Sequence, residues 1–281
     1  MASMPDLSPA ARLARDFDRE RFITALFAPP ERREALMLLY AFNVEVARVR
    51  ESVHEPMAGM IRLQWWRDTI GAAHDGRPLD HHPIAGPLGE LIRRHELPVG
   101  MFERLLAARE QDLEVGGPAD LAAAETYAAD TSSTLTALAL AVLGEDGEEE
   151  LAAGHHVGIA WALVGQVRAL GFHLSIGRLT LPEAVLAEAG TTGELVLAGK
   201  APRQALIQAA KAMAHCAKTH LGIARRIRVG RRALPALLPA VLADGHLKVL
   251  ERAGWDPFDG RVSVPRPQPL RLAWANFRGK F

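Results

Sequence analysis

REALMLLYAFNVEVARVRE, residues 33–51, carries two helical stripes. Leu39, Phe42, Val46 and Val49 recur at the spacing of one helix face, and Tyr40, Asn43, Ala47 and Glu51 form a second stripe beside it. With Leu36, Met37, Leu38, Ala41 and Val44 added, the first turns are apolar almost all round, which predicts a central helix enclosed by others. What the second stripe faces decides the function.

Outward from this segment the punctuation is helical. Residues 1 to about 15 read as a loose start, Asp18 as the cap of a short helix bearing Phe22, Leu26 and Phe27, and Pro29-Pro30 as its stop. The central helix is expected to run unbroken to about Val53. From Gly59 a helix carries Met60, Leu63, Trp66 and Ile70 inward. Further helices are expected at about 84–96, 98–114, 118–143, 148–172, 182–189, 192–199, 202–229 and 233–253, and a Pro-rich tail at 255–281. The helix at 148–172 has Ile159, Leu163, Gln166, Leu170 and Leu174 on one face and Gly158, Ala162, Gly165, Ala169 and His173 on another. That second, small-residue face either admits another helix closely or lines a cavity. Residues 1–281 read as one helical domain without repeats.

Composition agrees. Apolar residues make up 49% and charged residues 23%, enough for a sizeable core, and Ala, Leu, Arg and Glu outnumber the β-formers, so an all-α fold is expected. A formal net charge of zero argues against nucleic acid as a partner. The single Cys216 excludes an internal disulfide framework and fits a reducing compartment. No apolar run reaches the length of about 18 residues that a span needs, so a bacterial cytoplasmic protein is expected, with peripheral contact at the inner membrane left open.

Phe27-Ala28-Pro29-Pro30-Glu31-Arg32-Arg33 with Tyr40-Ala41-Phe42, Gly158-Ile159-Ala160 through Arg168, Gly177-Arg178, Leu181-Pro182 and Gly254-Trp255-Asp256-Pro257-Phe258 resemble, in order, the signatures of the squalene and phytoene synthase family. The resemblance implies an isoprenoid-synthase-type helical bundle around a central, largely apolar cavity. Enzymes of the family join two prenyl diphosphates, using paired carboxylates four residues apart on facing helices to hold Mg²⁺ against the diphosphate. Here the first pair falls on Ala47 and Glu51 and the second on Ala169 and His173, so three of the four carboxylates are missing. Glu45 lies on another side of the helix, His173 suits Mg²⁺ poorly, and Arg48 opposes a cation.

Phe42 to Val49, Ser52-Val53-His54-Glu55-Pro56, Gly59 to Trp66, Ser132 to Leu135 and His155 to Ala160 resemble the non-catalytic branch of that family, which contains the mitochondrial respiratory complex I assembly factor related to phytoene synthase. The resemblance implies an assembly factor for NADH:ubiquinone oxidoreductase or a lipid-binding scaffold. A complex I subunit or intermediate is then the partner, and a lipid or isoprenoid occupies the cavity. No catalytic residue, cofactor or metal is expected. The alternative is a prenyltransferase with Mg²⁺. The cavity lining is expected to comprise Tyr40, Asn43, Ala47, Glu51, Gly158, Ala162, Gly165, Ala169 and His173.

Other features have plainer readings. Arg225, Arg226, Arg228, Arg231 and Arg232 suit a helix C-terminus, and beyond capping offer a surface to anionic lipid or an acidic partner. His81 and His82 read as loop residues and not ligands. Trp66 reads as core and Trp65 as packed or interfacial. Near His215 and His220, Cys216 reads as a small buried hydrophobe, sharing its face with Met213 and Leu206. Arg109, Glu110 and Asp112 read as a solvated charged face.

Overall fold

The computed structural model describes residues 7–53, 55–79, 81–264 and 268–281. Every regular element among them is helical. The first is α1, Pro9–Phe17, started by a Ser8 hydroxyl that accepts from the Ala11 amide, with Pro9 at its first position. This corrects the loose start expected up to residue 15: Ser8-Pro9 is a helix start, and Ala10, Ala11 and Ala14 are buried. Residues 1–6 lie outside the described residues. Asp18 caps α2, Arg19–Ala25, by accepting from the Arg21 amide, as the sequence predicts.

The expected central helix is two elements, α3 (Pro30–Ala47) and α4 (Val49–Ser52). Arg48 breaks it, with φ −94° and ψ 5°. Leu39, Phe42, Val46 and Val49 are all at most 2% exposed, and Phe42 sits edge-on between Trp66 and Phe102. In α5, Pro56–His74, the inward face is Gly59, Leu63, Trp66, Ile70 and Ala73. Met60, expected in that stripe, is instead exposed, because Gly59 takes the inward position and presses against the Leu113 side chain.

α6 (Ala85–Arg94) begins where the His82 ring nitrogen accepts from the Ile84 and Ala85 amides, which gives that histidine a structural role. α7 (Val99–Glu110) passes through a 3₁₀ turn, Gln111–Leu113. The helix expected over 118–143 divides into α8 (Leu121–Ala128), a π-helical segment at Ala129–Ser133, and α9 (Thr134–Leu143), which ends at Gly144 with φ 74°.

α10 (Glu148–Arg168) and α11 (Leu170–Ser175) repeat the geometry of α3 and α4, since Ala169 separates them with φ −92° and ψ 7°. After α12 (Glu183–Glu188) and α13 (Gly193–Leu197) comes the long α14, Arg203–Ala224. The last helices are α15 (Leu234–Leu237), α16 (Pro239–Arg252) and α17 (Pro269–Arg278). The helices expected over 202–229 and 233–253 are thus shorter and interrupted, the second by Pro239, which takes a first helical position instead of an interior one.

α10 packs along α14 and also meets the π segment, α9 and α16, while α3 packs on α1 and α9, and α5 on α6 and α7. The principal buried cluster extends from Ala10 to Val262. Among the described residues, no single helix is long and apolar enough to cross a membrane.

Candidate functional site: an arginine-lined cavity between two broken helices

The breaks at Arg48 and Ala169 bring the ends of α3 and α10, with α4 and α11, to one cavity of about 220 Å³. Asn43, Ala47 and Glu51 line it from one side and Ala162, Gly165 and His173 from the other, so six of the nine expected residues meet there. The other three do not line it. Tyr40 is 2% exposed in the core, and burial pushes its phenol up from the ordinary value. Gly158 lies against the Ser133 backbone, where a Cβ would come within 2.4 Å of Cα, so its smallness serves helix contact and not the cavity. Ala169 borders a separate groove with Phe172 and Phe258.

The expected apolar lining is also corrected. Arg21, Arg50, Arg109 and Arg178 all line the cavity. Arg109 and Asp112, expected on a solvated face, are 13% and 5% exposed, and only Glu110 beside them turns away, to pair with Arg67 at 2.5 Å. Asp112 accepts from Arg178 at 2.5 Å, from Arg109 at 3.3 Å and from the Tyr127 hydroxyl at 2.8 Å. Arg109 also reaches Asn43 Oδ1, at 3.3 Å. From the opposite rim, Arg21 pairs with Asp18 and donates to Ser132 Oγ at 2.8 Å. Ser132 and Thr131 come from the π segment, whose wider turn presents them to the cavity.

Three buried polar atoms in this wall make no hydrogen bond among the described residues: Arg109 Nε, Gln166 Oε1 and His173 Nδ1. A buried polar atom left alone costs about 1–3 kcal/mol, so this wall is made for a polar occupant or ordered water. Burial, reinforced by the positive charge of Arg178, lowers His173 to about 4, so the ring stays neutral.

Mg²⁺ does not fit this donor set. Among the described lining residues Glu51 is the one carboxylate, and Arg48 holds it at 3.1 Å. Ala47 and Ala169 offer no donor, and Glu45 turns to Arg62 at 2.9 Å. Mg²⁺ requires about six oxygen ligands, and four guanidiniums repel it. The same guanidiniums suit a bare anion, which they can bind through charge-assisted hydrogen bonds.

Arg21, Tyr127 and Arg178 also line the cavity, beyond the residues expected from the sequence. Arg178 stood within a family signature, and the Arg109–Asp112 spacing of three residues was a visible signal of a pair on one face.

The remaining candidates settle elsewhere. Trp66 is buried, and Trp65 is half-buried edge-on to it and to His82. Cys216 is half-buried and packs against the core as a small hydrophobe, as expected, but its thiol also lies beside the Glu125 carboxylate. Burial and that carboxylate push its thiol up to about 12, which makes it a poor nucleophile. Of the arginine run, Arg225 pairs with Asp244 at 2.6 Å and donates to the Phe281 carbonyl, and Arg231 donates to the Phe277 carbonyl. Arg226, Arg228 and Arg232 remain exposed.

Residues 14–268 match the family described as squalene/phytoene synthase. A protein of Rattus norvegicus named NADH dehydrogenase (ubiquinone) complex I, assembly factor 6, is 32% identical over 272 residues, 96% of this chain and 81% of that one. Among solved structures, a squalene synthase from Alicyclobacillus acidocaldarius superposes with a TM-score of 0.77 at 21% identity, covering 89% of this chain and 94% of the other. A dehydrosqualene synthase solved with a ligand gives 0.79 at 14% identity, over 96% and 94%. Both share the helical fold.

Proposed function

This chain belongs to the squalene/phytoene synthase family, and from that premise we propose that it acts without prenyl transfer, as an assembly factor for NADH:ubiquinone oxidoreductase. The observation that carries this reading is the cavity wall. One arginine-paired carboxylate faces four guanidiniums where the family's chemistry needs two pairs of acids. A relative named for complex I assembly, aligned with almost the whole chain, supports it independently. The partner is then a complex I subunit or assembly intermediate. The cavity takes the anionic head of a lipid or isoprenoid, with no cofactor. At about 220 Å³ it is smaller than the roughly 300–1,000 Å³ of drug-sized ligand sites, which suits a head group better than two prenyl chains.

The same reading places the protein at the cytoplasmic face of the inner membrane. On α17, Leu270, Trp274 and Phe277 are 85%, 60% and 71% exposed and share one stripe. Arg271, Arg278 and Lys280 flank them on the same segment. Together with the exposed Arg226, Arg228 and Arg232, they supply an apolar ridge and cations for an anionic bilayer surface.

Deleting the gene in the source organism tests the role. Loss of assembled, active complex I that plasmid-borne protein restores is expected, and unchanged assembly and activity would count against it. Mg²⁺-dependent turnover of farnesyl or geranylgeranyl diphosphate, abolished by Glu51→Ala, would establish the enzymatic alternative instead.

A further inference from the structure

Away from the cavity, three helices bring a second set of reactive side chains together. Cys216 and His220 stand four residues apart on α14 and project from one face. Glu125 reaches them from α8 and His156 from α10. A carboxylate oxygen of Glu125, Cys216 Sγ and a ring nitrogen of His220 all lie within 4.8 Å of one another. Cys216 Sγ is 2.5 Å and His220 Nε2 3.4 Å from the same carboxylate oxygen. The other ring nitrogen of His220, Nδ1, is 2.8 Å from His156 Nδ1. All four residues are half-buried, so the cluster is enclosed by helices yet open to ions from solvent.

We propose that Glu125, Cys216 and His220 form a binding site for Zn²⁺ or a similar first-row divalent ion, with His156 as the positioning residue for His220. The donor set sets the ion class. One thiolate, one imidazole and one carboxylate form the mixed S, N and O set that Zn²⁺ prefers, and a poor set for Mg²⁺ or Ca²⁺. Bond lengths of about 2.3 Å to sulfur and about 2.0–2.1 Å to nitrogen or oxygen make the edges of a tetrahedral site about 3.3–3.7 Å long. The His220–Glu125 separation already meets that length. The Cys216–Glu125 edge has to open by about 1 Å, within reach of side-chain rotation at half-buried positions. Three protein ligands leave a fourth position for water.

The histidine pair supplies orientation. When His220 Nδ1–H donates to His156 Nδ1, the proton on His220 is fixed there and its Nε2 lone pair points at the cluster. This is the arrangement in which metal-bound histidines are held by a second hydrogen bond. Binding releases one proton, from the Cys216 thiol to solvent, as the S–H bond gives way to a sulfur–metal bond. The rival arrangement needs no metal: Cys216 S–H and His220 Nε2–H both donate to Glu125, and His156 Nδ1–H donates to His220.

Titration of the full chain, stripped with a chelator, with Co²⁺ and then Zn²⁺ separates the two. One equivalent of Co²⁺ giving a near-ultraviolet thiolate-to-cobalt absorption band, bleached by one equivalent of Zn²⁺, is the expected result. Cys216→Ser and His220→Ala then lose the band, while His156→Ala keeps it and weakens Zn²⁺ binding about 10–100-fold. Far-UV circular dichroism checks that each variant is folded, and the band in the unmodified chain stands as a readout that needs no variant. Absence of the band in the unmodified protein, or its persistence in Cys216→Ser, overturns the site.

Discussion

Asp112 and Arg178 meet at 2.5 Å although 66 residues separate them in the chain, and the same carboxylate serves Arg109 and the Tyr127 hydroxyl. The pairing joins the turn after α7 to the segment after α11, and one buried acid restrains two of the four cavity arginines. Asp112→Asn leaves both guanidiniums near one another with no counter-charge. Breaking such a pair costs of the order of 3 kcal/mol, read by urea denaturation. Inorganic diphosphate should raise the melting temperature of this variant more than that of the unmodified protein, since it replaces the missing charge. A loss under about 1 kcal/mol would show that the carboxylate does not govern the cavity.

Acid should weaken the fold through His173. Its ordinary value of 6.5 is lowered to about 4, by burial first and the Arg178 charge second. Between those values the unfolded chain takes up a proton that the folded one refuses. Stability therefore rises with pH across the window and is lost as pH falls from about 6.5 toward 4, by up to about 3 kcal/mol. In His173→Gln this pH-dependent loss disappears, so the variant's melting temperature should fall less than that of the unmodified protein as the pH drops from about 6.5 to 4. Below about 4.5 a further loss sets in at Glu20. Burial would raise that acid, but the hydrogen bond with His246 and the charge of Arg168 outweigh burial and hold it at about 2. Parallel profiles for the two proteins would refute the His173 assignment.

Two glycines of α10 should respond oppositely to alanine. At Gly158 the new methyl would strike the Ser133 backbone at 2.4–2.5 Å, which costs about 1–3 kcal/mol or more, beyond the gain in helix propensity. At Gly165 nothing lies within 4 Å, and the same change should stabilise by up to about 1 kcal/mol. Thermal melts of the two variants decide whether Gly158 is a point of close helix approach, as the geometry requires.

Membrane contact through α17 predicts a salt-sensitive partition onto vesicles containing phosphatidylglycerol or cardiolipin. Trp274→Ala with Phe277→Ala should lower it at least about tenfold, given about 1.5–3 kcal/mol for each large apolar side chain buried. Neutralising Arg226, Arg228 and Arg232 should reduce both affinity and salt dependence, at about 1 kcal/mol per charge. Equal binding to neutral phosphatidylcholine vesicles would remove the electrostatic half of this proposal.

Much of the helical scaffold was legible because α3 repeats its apolar residues without interruption and because Asp18, Pro30 and Gly144 are unambiguous stops and starts. The breaks at Arg48 and Ala169 were not, since neither position carries the Pro or Gly that punctuates a helix in sequence. The π segment hid for the same reason. Ala47, Glu51 and His173 reached the cavity as the family resemblance implied. Spacing shows the local pairs Arg21–Asp18 and Arg109–Asp112, but not that they would turn inward, which depends on the distant partners Ser132, Asn43 and Arg178.

α17 covers an apolar patch of its own: Leu272 closes over Leu238, Val241 and Leu242, which are nearly inaccessible to solvent. Its backbone is tied down by Arg231, and the residue after the next turn by Arg225. Losing α17 would therefore do more than shorten the chain. It would uncover a greasy strip on α16 while the rest of the bundle stayed folded, leaving a shortened species prone to self-association.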